Sequence, residues 1–352
     1  MTEEIAIGKF SIGIQHNPLI IAEMSGNHNQ SLKRALEIVD AASVAGVNLL
    51  KLQTYTAETM TLNLRKEDFL IVDENSPWRG KSLYDLYEEA YTPWEWHEPI
   101  IERATKLGML CFSTPFDETA VDFLEQLNIP AYKIASFENT DLPLIRKVAS
   151  TGKPMFISTG MATVAELGET VQTARDANCN GIVLLKCTSS YPSTPKSSNV
   201  LTIPHMREMF GCEVGLSDHT MGVGVAVAAV AHGATVIEKH FTLSRADGGV
   251  DSAFSLEPEE MKMLVMETHR AWESLGEVTY GPIKAEEESF KFRRSLYISK
   301  DMKADEILTP QNLRCVRPGM GLPPKYYDLL LGLKLRQDVK KGTAVKWDMV
   351  GL

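Results

Sequence analysis

Short apolar runs bounded by turn residues alternate with stretches of helical periodicity along the first three quarters of the chain. In the first helical stretch, apolar residues from Leu32 to Ala42 share one face, Ser31 is a suitable N-cap and Gly46 a suitable end. The apolar runs predict eight strands: PLIIAEMS, NLLKLQ, MLCFST, AYKIAS, PMFISTG, IVLLKCT, CEVGLS and TVIEKHF. Eight strands alternating with helices over ~270 residues predict a parallel (β/α)₈ TIM barrel.

A doubly wound parallel sheet is the alternative arrangement for such a chain. We disfavour it because no G-x-G-x-x-G motif follows the first predicted strand. The interval from Tyr55 to Tyr91 is too long for a simple loop and is rich in aromatic residues, including Trp78. It therefore predicts a structured lid or insertion.

The pattern changes after Gly276. Residues 277–292 are polar and are typical of a linker, and residues 293–352 show short strands and tight turns without helical periodicity. We therefore predict a barrel domain over residues 1–276 and a small β-rich domain over residues 293–352.

Composition and charge exclude several classes of function. The net charge is −10, and a surface that binds nucleic acid without sequence specificity is basic, so nucleic acid is not an expected partner. We expect no signal peptide in MTEEIAIGKF, and no membrane span, because the longest apolar stretch is Gly- and Ala-rich and interrupted by His232. Five cysteines without a C-x-x-C pair indicate the reduced thiols of a cytoplasmic protein.

Polar residues end every predicted strand, which is where TIM barrels carry their active sites. Two of them, Lys51 and Lys133, lie inside apolar strands, where an ammonium group is costly unless it meets an anion. Together with nearby hydroxyl groups they predict a pocket for a phosphate or a carboxylate. The hydroxyl groups belong to Thr114, Ser136, Ser158, Ser189 and Ser217.

His219 and His240 end two successive predicted strands. The ends of adjacent barrel strands lie within about 5–7 Å of each other. The two imidazoles could share one divalent metal ion, or each could bond a neighbouring carboxylate, and the spacing leaves both possibilities open. His28 is a third candidate ligand, although a histidine in an Asn-rich loop more often orders that loop.

Several other polar residues are candidates with weaker signals. Glu23 and Glu138 end the first and fourth strands, where either could act as a general base or hold a sugar hydroxyl. Tyr191 and Asp251 follow later strands on predicted loops, and ordinary turn residues are an equal alternative for them. Arg317 precedes Pro-Gly in the small domain, where a loop role is the simpler interpretation.

The motifs IAEMSGNHN, KLQTYT, FSTPFD, YKIAS-x-E, STGMA, KCTSSYPS, GLSDHT and IEKHFT together resemble the sialic acid synthase family, and the resemblance extends into RPGMGL of the small domain. It implies a TIM barrel followed by an antifreeze-protein-like (SAF) domain. The implied activity joins phosphoenolpyruvate to an N-acetylated amino sugar and releases phosphate. It also implies a domain-swapped homodimer and a divalent cation such as Mn²⁺ or Mg²⁺ held by two histidines.

The resemblance assigns roles residue by residue. His219 and His240 would bind the metal, and Glu23 would handle protons. Arg317 would reach the sugar's N-acetyl group from the partner chain. Phosphoenolpyruvate would be held by Lys51, Thr114, Lys133, Ser136, Ser158, Ser189 and Ser217. The sugar would contact Gln53, Glu138, Tyr191 and Asp251.

Three segments, EMSGNHNQS, KLQTYTAETMTL and the insertion from Trp78 to His97, are similar to the pseudaminic acid synthase branch of the family. That branch implies 2,4-diacetamido-2,4,6-trideoxy-altrose as the acceptor sugar, with N-acetylneuraminate or legionaminate synthesis as the alternative. Two other classes remain open: a metal-dependent aldolase or epimerase on the same barrel, and a non-catalytic carbohydrate-binding protein.

Overall fold

The structure is a computed structural model that describes residues 4–74, 76 and 78–351. The chain divides into two compact units, Met1–Gly276 and Glu277–Leu352. Among the described residues, no helix has the length and apolar character needed to cross a membrane.

The first unit opens with an antiparallel hairpin, β1 (Ile5–Ile7) and β2 (Phe10–Ile12), which the sequence patterns did not predict. Gly8 turns the hairpin at φ +55°, a conformation that favours glycine. The apolar side chains of Ile5, Ile7 and Ile12 pack against the interior of the barrel. The hairpin therefore closes the end of the barrel at which the strands begin.

The predicted eight-stranded parallel barrel is confirmed, with each predicted run forming one strand and the last strand pairing with the first. The strands are β3 (Leu19–Glu23), β4 (Leu49–Thr54), β5 (Leu110–Pro115), β6 (Tyr132–Ile134), β7 (Met155–Ser158), β8 (Ile182–Cys187), β9 (Glu213–Asp218) and β10 (Val236–His240).

Helices surround the barrel and cover its outward apolar side chains. The helix after β3 has the predicted ends: Ser31 accepts a hydrogen bond from the Arg34 amide, and Gly46 adopts φ 86°. The α-helices are α1 (Leu32–Ala45), α2 (Ala57–Met60), α3 (Leu83–Ala90), α4 (His97–Lys106), α5 (Glu118–Gln126), α6 (Leu142–Ala149), α7 (Val164–Asp176), α8 (Thr202–Phe210), α9 (Gly224–Ala231) and α10 (Pro258–Leu275). Two of them, α2 and α3, lie in the insertion after β4, which is therefore structured.

The second unit has its own small core. Its strands β11 (Ser295–Ile298) and β12 (Leu313–Val316) pair antiparallel, and the short helix α11 (Tyr327–Leu330) packs on the same core. The stretch predicted as a linker contains a 3₁₀ helix, Lys284–Phe292.

Candidate active site

The barrel interior contains two layers of side chains. The lower layer is apolar and packs against the β1–β2 hairpin; its members are Leu19, Ile21, Leu49, Phe112, Ala131, Phe156, Val183, Leu185 and Val236. Side chains two positions apart on a strand point to the same face, so the next inward residues lie nearer the carboxyl ends of the strands. This upper layer takes one buried residue from each strand: Glu23, Lys51, Thr114, Lys133, Ser158, Cys187, Ser217 and Glu238.

Lys51 is 4% exposed and is surrounded by side chains of the upper layer. Its Nζ lies 3.0 Å from Glu23 Oε2 and 3.4 Å from Glu238 Oε1, and it donates to Thr114 Oγ1 at 3.3 Å. Burial alone would lower the pKa of Lys51, but the two carboxylates outweigh burial and raise that pKa. Lys51 is therefore a charged ammonium group at neutral pH.

Lys133 is 2% exposed and donates to Ser158 Oγ at 2.7 Å, with its Nζ 3.6 Å from Glu238 Oε1. Burial lowers the pKa of Lys133, and Glu238 opposes that effect. Burial would also raise the pKa of Glu238, but Lys133 and Lys51 hold it below its usual value. The two predicted lysines thus meet around one carboxylate, whose Oε1 also accepts from Ser217 Oγ at 3.3 Å.

These contacts correct one expectation. The lysines were predicted to line a pocket of ammonium and hydroxyl groups that awaits an external anion. The structure adds two buried carboxylates, Glu23 and Glu238, to the same layer, so the lysines are already balanced in part by the protein's own charges. An anionic substrate would need further positive charge.

The ends of β6, β7 and β8 converge on a glycine. The Gly160 amide donates to Ser136 Oγ at 3.2 Å, and Asn139 Nδ2 donates to the carbonyl oxygens of Ser158 and Gly160 at 3.1 and 3.0 Å. A Cβ atom on Gly160 would overlap Ser189 Oγ and Ser136 Oγ, so any larger residue requires both serine side chains to move. Ser189 Oγ is buried and has no hydrogen-bond partner among the described residues.

His219 and His240 are neighbours, with ring centroids 5.4 Å apart. His219 Nδ1 lies 3.0 Å from the Thr188 carbonyl oxygen, which fixes its orientation. His240 Nδ1 is buried, 3.7 Å from Asp251 Oδ2, and makes no hydrogen bond within the part of the chain described. An unpartnered buried imidazole nitrogen next to a second imidazole fits a divalent cation.

The protein offers that cation few ligands. Within residues 4–74, 76 and 78–351, no group of three or more His, Cys, Asp or Glu side chains is arranged to hold a metal ion. Two histidines would leave the remaining coordination positions to water and substrate, as in catalytic metal sites. The residues therefore fit a metal ion, and its binding stays a prediction.

Glu23, Gln53 and Asp251 lie beside the lysines and histidines. Gln53 Nε2 donates to Glu23 Oε1 at 2.7 Å and lies 3.4 Å from Ser25 Oγ, which in turn donates to Asp251 Oδ2. Burial raises the pKa of Glu23, although Lys51 opposes it, and burial also raises the pKa of Asp251. Three predicted residues are thus joined in one hydrogen-bonded chain through Ser25.

Tyr191 covers the histidine pair. Its ring centroid is 4.5 Å from that of His219 and 5.3 Å from that of Phe254, and Phe254 is 5.0 Å from His240. Burial raises the pKa of Tyr191, so the phenol remains protonated at neutral pH. The predicted loop residue is therefore part of an aromatic wall beside the two imidazoles.

Glu138 follows β6 in a 3₁₀ turn, Ser136–Glu138. Its Oε2 is buried and unpartnered among the described residues. Burial raises the pKa of Glu138 to about 7, with Lys133 opposing that shift. A carboxyl group with such a pKa can donate or accept a proton near neutral pH.

Two candidates remain, Arg317 and His28. Arg317 follows β12 in the second unit and is exposed, so its role stays a prediction. His28 is fully buried: its Nε2 lies 3.2 Å from Thr92 Oγ1, and its Nδ1 accepts from the Gln30 amide at 3.2 Å. Because both ring nitrogens are engaged, the structure favours the loop-ordering role of His28 over the metal-ligand role.

Comparison with known proteins decides the family. The NeuB family model matches residues 38–280, more than half of the chain. The chain belongs to the NeuB family. A SAF domain model matches residues 293–351, so the predicted TIM barrel and SAF architecture is confirmed.

Similar NeuB-family proteins cover nearly the whole chain. A pseudaminic acid synthase of Campylobacter jejuni is 45% identical over 330 residues, which are 93% of this chain and 95% of the relative. One of Helicobacter pylori is 42% identical over 333 residues, which are 94% and 97% of the two chains. The crystal structure of an N-acetylneuraminic acid synthetase from Leptospira borgpetersenii in complex with citrate aligns with a TM-score of 0.74 at 31% identity, covering 83% of this chain and 97% of that one.

Two upper-layer residues of this NeuB-family site have no specific role predicted from the sequence: Glu238 is only one of the polar strand ends, and Cys187 only one of the predicted reduced thiols. Glu238 joins both lysines, and Cys187 lies next to His219 and Ser136. Burial would raise the pKa of Cys187, but those neighbours and Lys133 outweigh burial and lower it to about 7. Period-two alternation places Glu238 on the same face as Val236 and Cys187 on the same face as Leu185, but the sequence does not say which face of the strand points inward.

Proposed function

We propose that the protein is a pseudaminic acid synthase. It would join phosphoenolpyruvate to 2,4-diacetamido-2,4,6-trideoxy-altrose and release phosphate. The relatives that carry this name are 42–45% identical over more than nine tenths of the chain, which supports this acceptor over those of more distant relatives.

One structural observation supports the proposal most strongly: two buried lysines and three hydroxyl groups, those of Thr114, Ser158 and Ser217, occupy the upper layer of the barrel. Phosphoenolpyruvate carries a phosphate and a carboxylate, both of which ammonium and hydroxyl donors recognise. The unpartnered Ser189 Oγ and the close approach at Gly160 add donors on the β7 and β8 side. A protein that only binds neutral sugars has no need of two buried ammonium groups.

Charge balance supports a divalent cation in the same proposal. Lys51 and Lys133 are opposed by Glu23 and Glu238, so binding an anion requires added positive charge. His219 and His240 would hold the cation, which when bound would polarise the carbonyl group of the acceptor.

The protein's own groups would then orient the reactants and move protons. Lys51, Lys133 and the serines would hold phosphoenolpyruvate with its third carbon facing the acceptor aldehyde, so that a carbon–carbon bond forms. Water would add to the second carbon of phosphoenolpyruvate, and the bond from that carbon to the bridging oxygen would break, releasing phosphate. Glu23 would accept the proton of that water, because its raised pKa makes it a stronger base than an exposed carboxylate, and the acceptor's former aldehyde oxygen would take up a proton.

Phosphate release tests the activity directly. The protein should release phosphate from phosphoenolpyruvate with the 2,4-diacetamido-6-deoxy sugar, and more slowly or not at all with N-acetylmannosamine or the legionaminate precursor. With oxygen-18 in the bridging position, the label should leave in phosphate. Label retained in the keto acid would refute cleavage of the carbon–oxygen bond, and no release with any acceptor would refute the proposed function.

Chelation tests the cation. Activity should disappear in EDTA and return with Mn²⁺ or Mg²⁺, and His240→Ala should need much more metal than wild type for half-maximal activity. Full activity in chelator would contradict a role for the metal.

The resemblance also supports a domain-swapped homodimer in which Arg317 of the SAF domain completes the partner's site. Arg317→Ala and Lys133→Met should each be inactive alone. Mixed and refolded together, they should regain about a quarter of wild-type activity, since half of the dimers are mixed and each mixed dimer has one intact site. No recovery in a mixture shown to contain mixed dimers would contradict the exchange.

The proposal places the enzyme in the cytoplasm, where its five free cysteines would stay reduced. Recovery of the protein in a membrane or secreted fraction would contradict that location.

A further inference from the structure

Trp78 connects the insertion after β4 with the site. Its indole Nε1 donates to the Val250 carbonyl oxygen at 2.8 Å, and its ring centroid lies 5.9 Å from that of Tyr191. Val250 directly precedes Asp251. One tryptophan side chain therefore touches two loops that carry predicted sugar contacts, those of Tyr191 and Asp251.

The segment that carries Trp78 has a fixed base. Leu70 and Ser82 form a bridge, the Ile71 amide donates to the Lys81 carbonyl at 3.0 Å, and the Gly80 amide donates to the Ile71 carbonyl at 2.8 Å. Ser82 also caps α3 by accepting from the Asp85 amide. Paired chain ends limit how far the tryptophan can move from the loops it contacts.

The loop before Asp251 is held from the other side as well. Asn29 Nδ2 donates to the Gly248 carbonyl at 3.2 Å, and a Cβ atom on Gly249, at φ +132°, would lie 2.7 Å from Asn29 Oδ1. Ser25 donates to the Asp251 carboxylate itself. The Trp78 hydrogen bond adds a contact to this loop from the insertion.

We propose that Trp78 is a specificity-determining residue for the acceptor sugar, holding the Asp251 loop through its N–H and presenting an apolar ring face, together with Tyr191, to the 6-deoxy end of the sugar. This inference rests on the proposed function. Aromatic faces cover C–H and methyl surface and offer nothing to a phosphate. Both side chains are only partly buried, so each has some exposed surface that a ligand could cover.

The geometry separates this role from phosphoenolpyruvate binding. Trp78 contacts Tyr191 and Val250, on the loops after β8 and β10, whereas Lys133, Ser158 and Gly160 lie on β6 and β7 and just after them. Ser189, a proposed phosphoenolpyruvate contact, shares the loop after β8 with Tyr191 but is not itself a Trp78 contact. Changes at Trp78 should therefore affect the sugar much more than phosphoenolpyruvate.

The test compares wild type with Trp78→Ala and Trp78→Phe, using the 6-deoxy acceptor and its 6-hydroxy counterpart. We expect Trp78→Ala to raise KM for the 6-deoxy sugar and to reduce the preference for it over the 6-hydroxy sugar, each by about tenfold, the scale of one methyl group in an apolar pocket. KM for phosphoenolpyruvate should change less than about twofold if the role is confined to the sugar. Trp78→Phe keeps an aromatic face but loses the N–H, so it should retain most of the preference while KM for the sugar rises less.

Trp272→Phe is the matched control, because its indole Nε1 also donates to a backbone carbonyl, that of Ile14, near the hairpin end of the barrel. It should leave both KM values and the sugar preference unchanged. Unaltered sugar KM and preference in Trp78→Ala, or equal increases in both substrates' KM, would overturn the inference. A wild-type protein inactive with both sugars would instead refute the proposed function and, with it, this role.

Discussion

The two interior layers of the barrel are built on the same strands but differ in chemistry and in role. The lower layer is apolar and closely packed, for example between Phe112 and Phe156, whose ring centroids are 5.2 Å apart. The upper layer, two residues further along each strand, contains two lysines, two glutamates and three hydroxyl groups at equal burial. Atoms such as Glu238 Oε2 have no hydrogen-bond partner there among the described residues.

The difference shows where stability and function reside. Burying apolar rings stabilises the fold, whereas burying ionised groups costs desolvation that their mutual attraction only partly offsets. The upper layer therefore has little value for stability. The same strand alternation that builds a core places a reactive surface directly above it.

Replacing an upper-layer lysine should separate the two roles most clearly. Lys133→Met keeps side-chain volume and removes a charge that burial disfavours, while Lys51 still pairs with Glu238. We expect phosphate release to fall by about 10²–10³-fold, the cost of losing one donor to a developing charge. Glu238 then loses one of its two lysine partners, so the thermal midpoint, followed by circular dichroism, should fall, but the variant should remain folded at the assay temperature. A variant that unfolds but keeps its turnover per folded molecule would contradict the division between layers.

The reverse effect is expected in the lower layer. Phe112→Ala leaves a cavity beside Phe156 and should lower the free energy of unfolding by about 3–5 kcal/mol, measured by urea denaturation. KM for phosphoenolpyruvate at 15 °C should remain close to the wild-type value, because no lower-layer atom is placed to contact substrate. A large rise in KM with unchanged stability would show that the layers are not separate.

Gly160→Ala should affect the boundary of the upper layer. The added methyl group must displace both Ser136 and Ser189, so KM for phosphoenolpyruvate should rise about 10–100-fold, the range that one lost group or a misplaced contact produces. Gly168→Ala is the control, since a Cβ atom on this glycine of α7 meets nothing within 4 Å. That control should be neutral or slightly stabilising. Equal KM values for the two variants would contradict the serine contacts.

The smallest effect concerns Glu138, whose pKa burial raises to about 7. The folded protein keeps this proton between pH 4.5 and 7 while the unfolded chain loses it, so stability falls as pH rises through that window. Glu138→Gln has no proton to lose at this position. Its free energy of unfolding should therefore exceed that of wild type by about 1–3 kcal/mol at pH 8, with no difference near pH 4.5. Thermal melts of the variant and wild type at the two pH values measure this difference in stability. The same difference at both pH values would contradict the shifted pKa.

The barrel was predictable because each strand is an apolar run separated from the next by a helix with readable caps. The hairpin was missed because IAIGKFSI contains only three-residue strands, whose value comes from filling the barrel end rather than from local propensity. Its apolar alternation around Gly8 was a weak signal of that contact.

The site was predictable as a set of polar strand ends, but its charge balance was not. In IEKHF, sequence does not say which charged residue faces inward. The structure points Glu238 to the lysines and buries Lys239 elsewhere, where its Nζ donates to Asp218 Oδ2 at 2.9 Å and to the carbonyls of Thr220 and Gly222. Strand register, fixed by pairing with β9 and β3, decides between the two.

Calorimetric titration with phosphoenolpyruvate in the presence of Mn²⁺ tests the central claim most directly. Wild type and a lower-layer variant, Phe112→Leu, should bind with the same affinity, and Lys133→Met should bind at least about 100-fold more weakly, as expected for loss of a charge-assisted contact. Equal affinity of wild type and Lys133→Met would contradict the assignment of the upper layer as the phosphoenolpyruvate site.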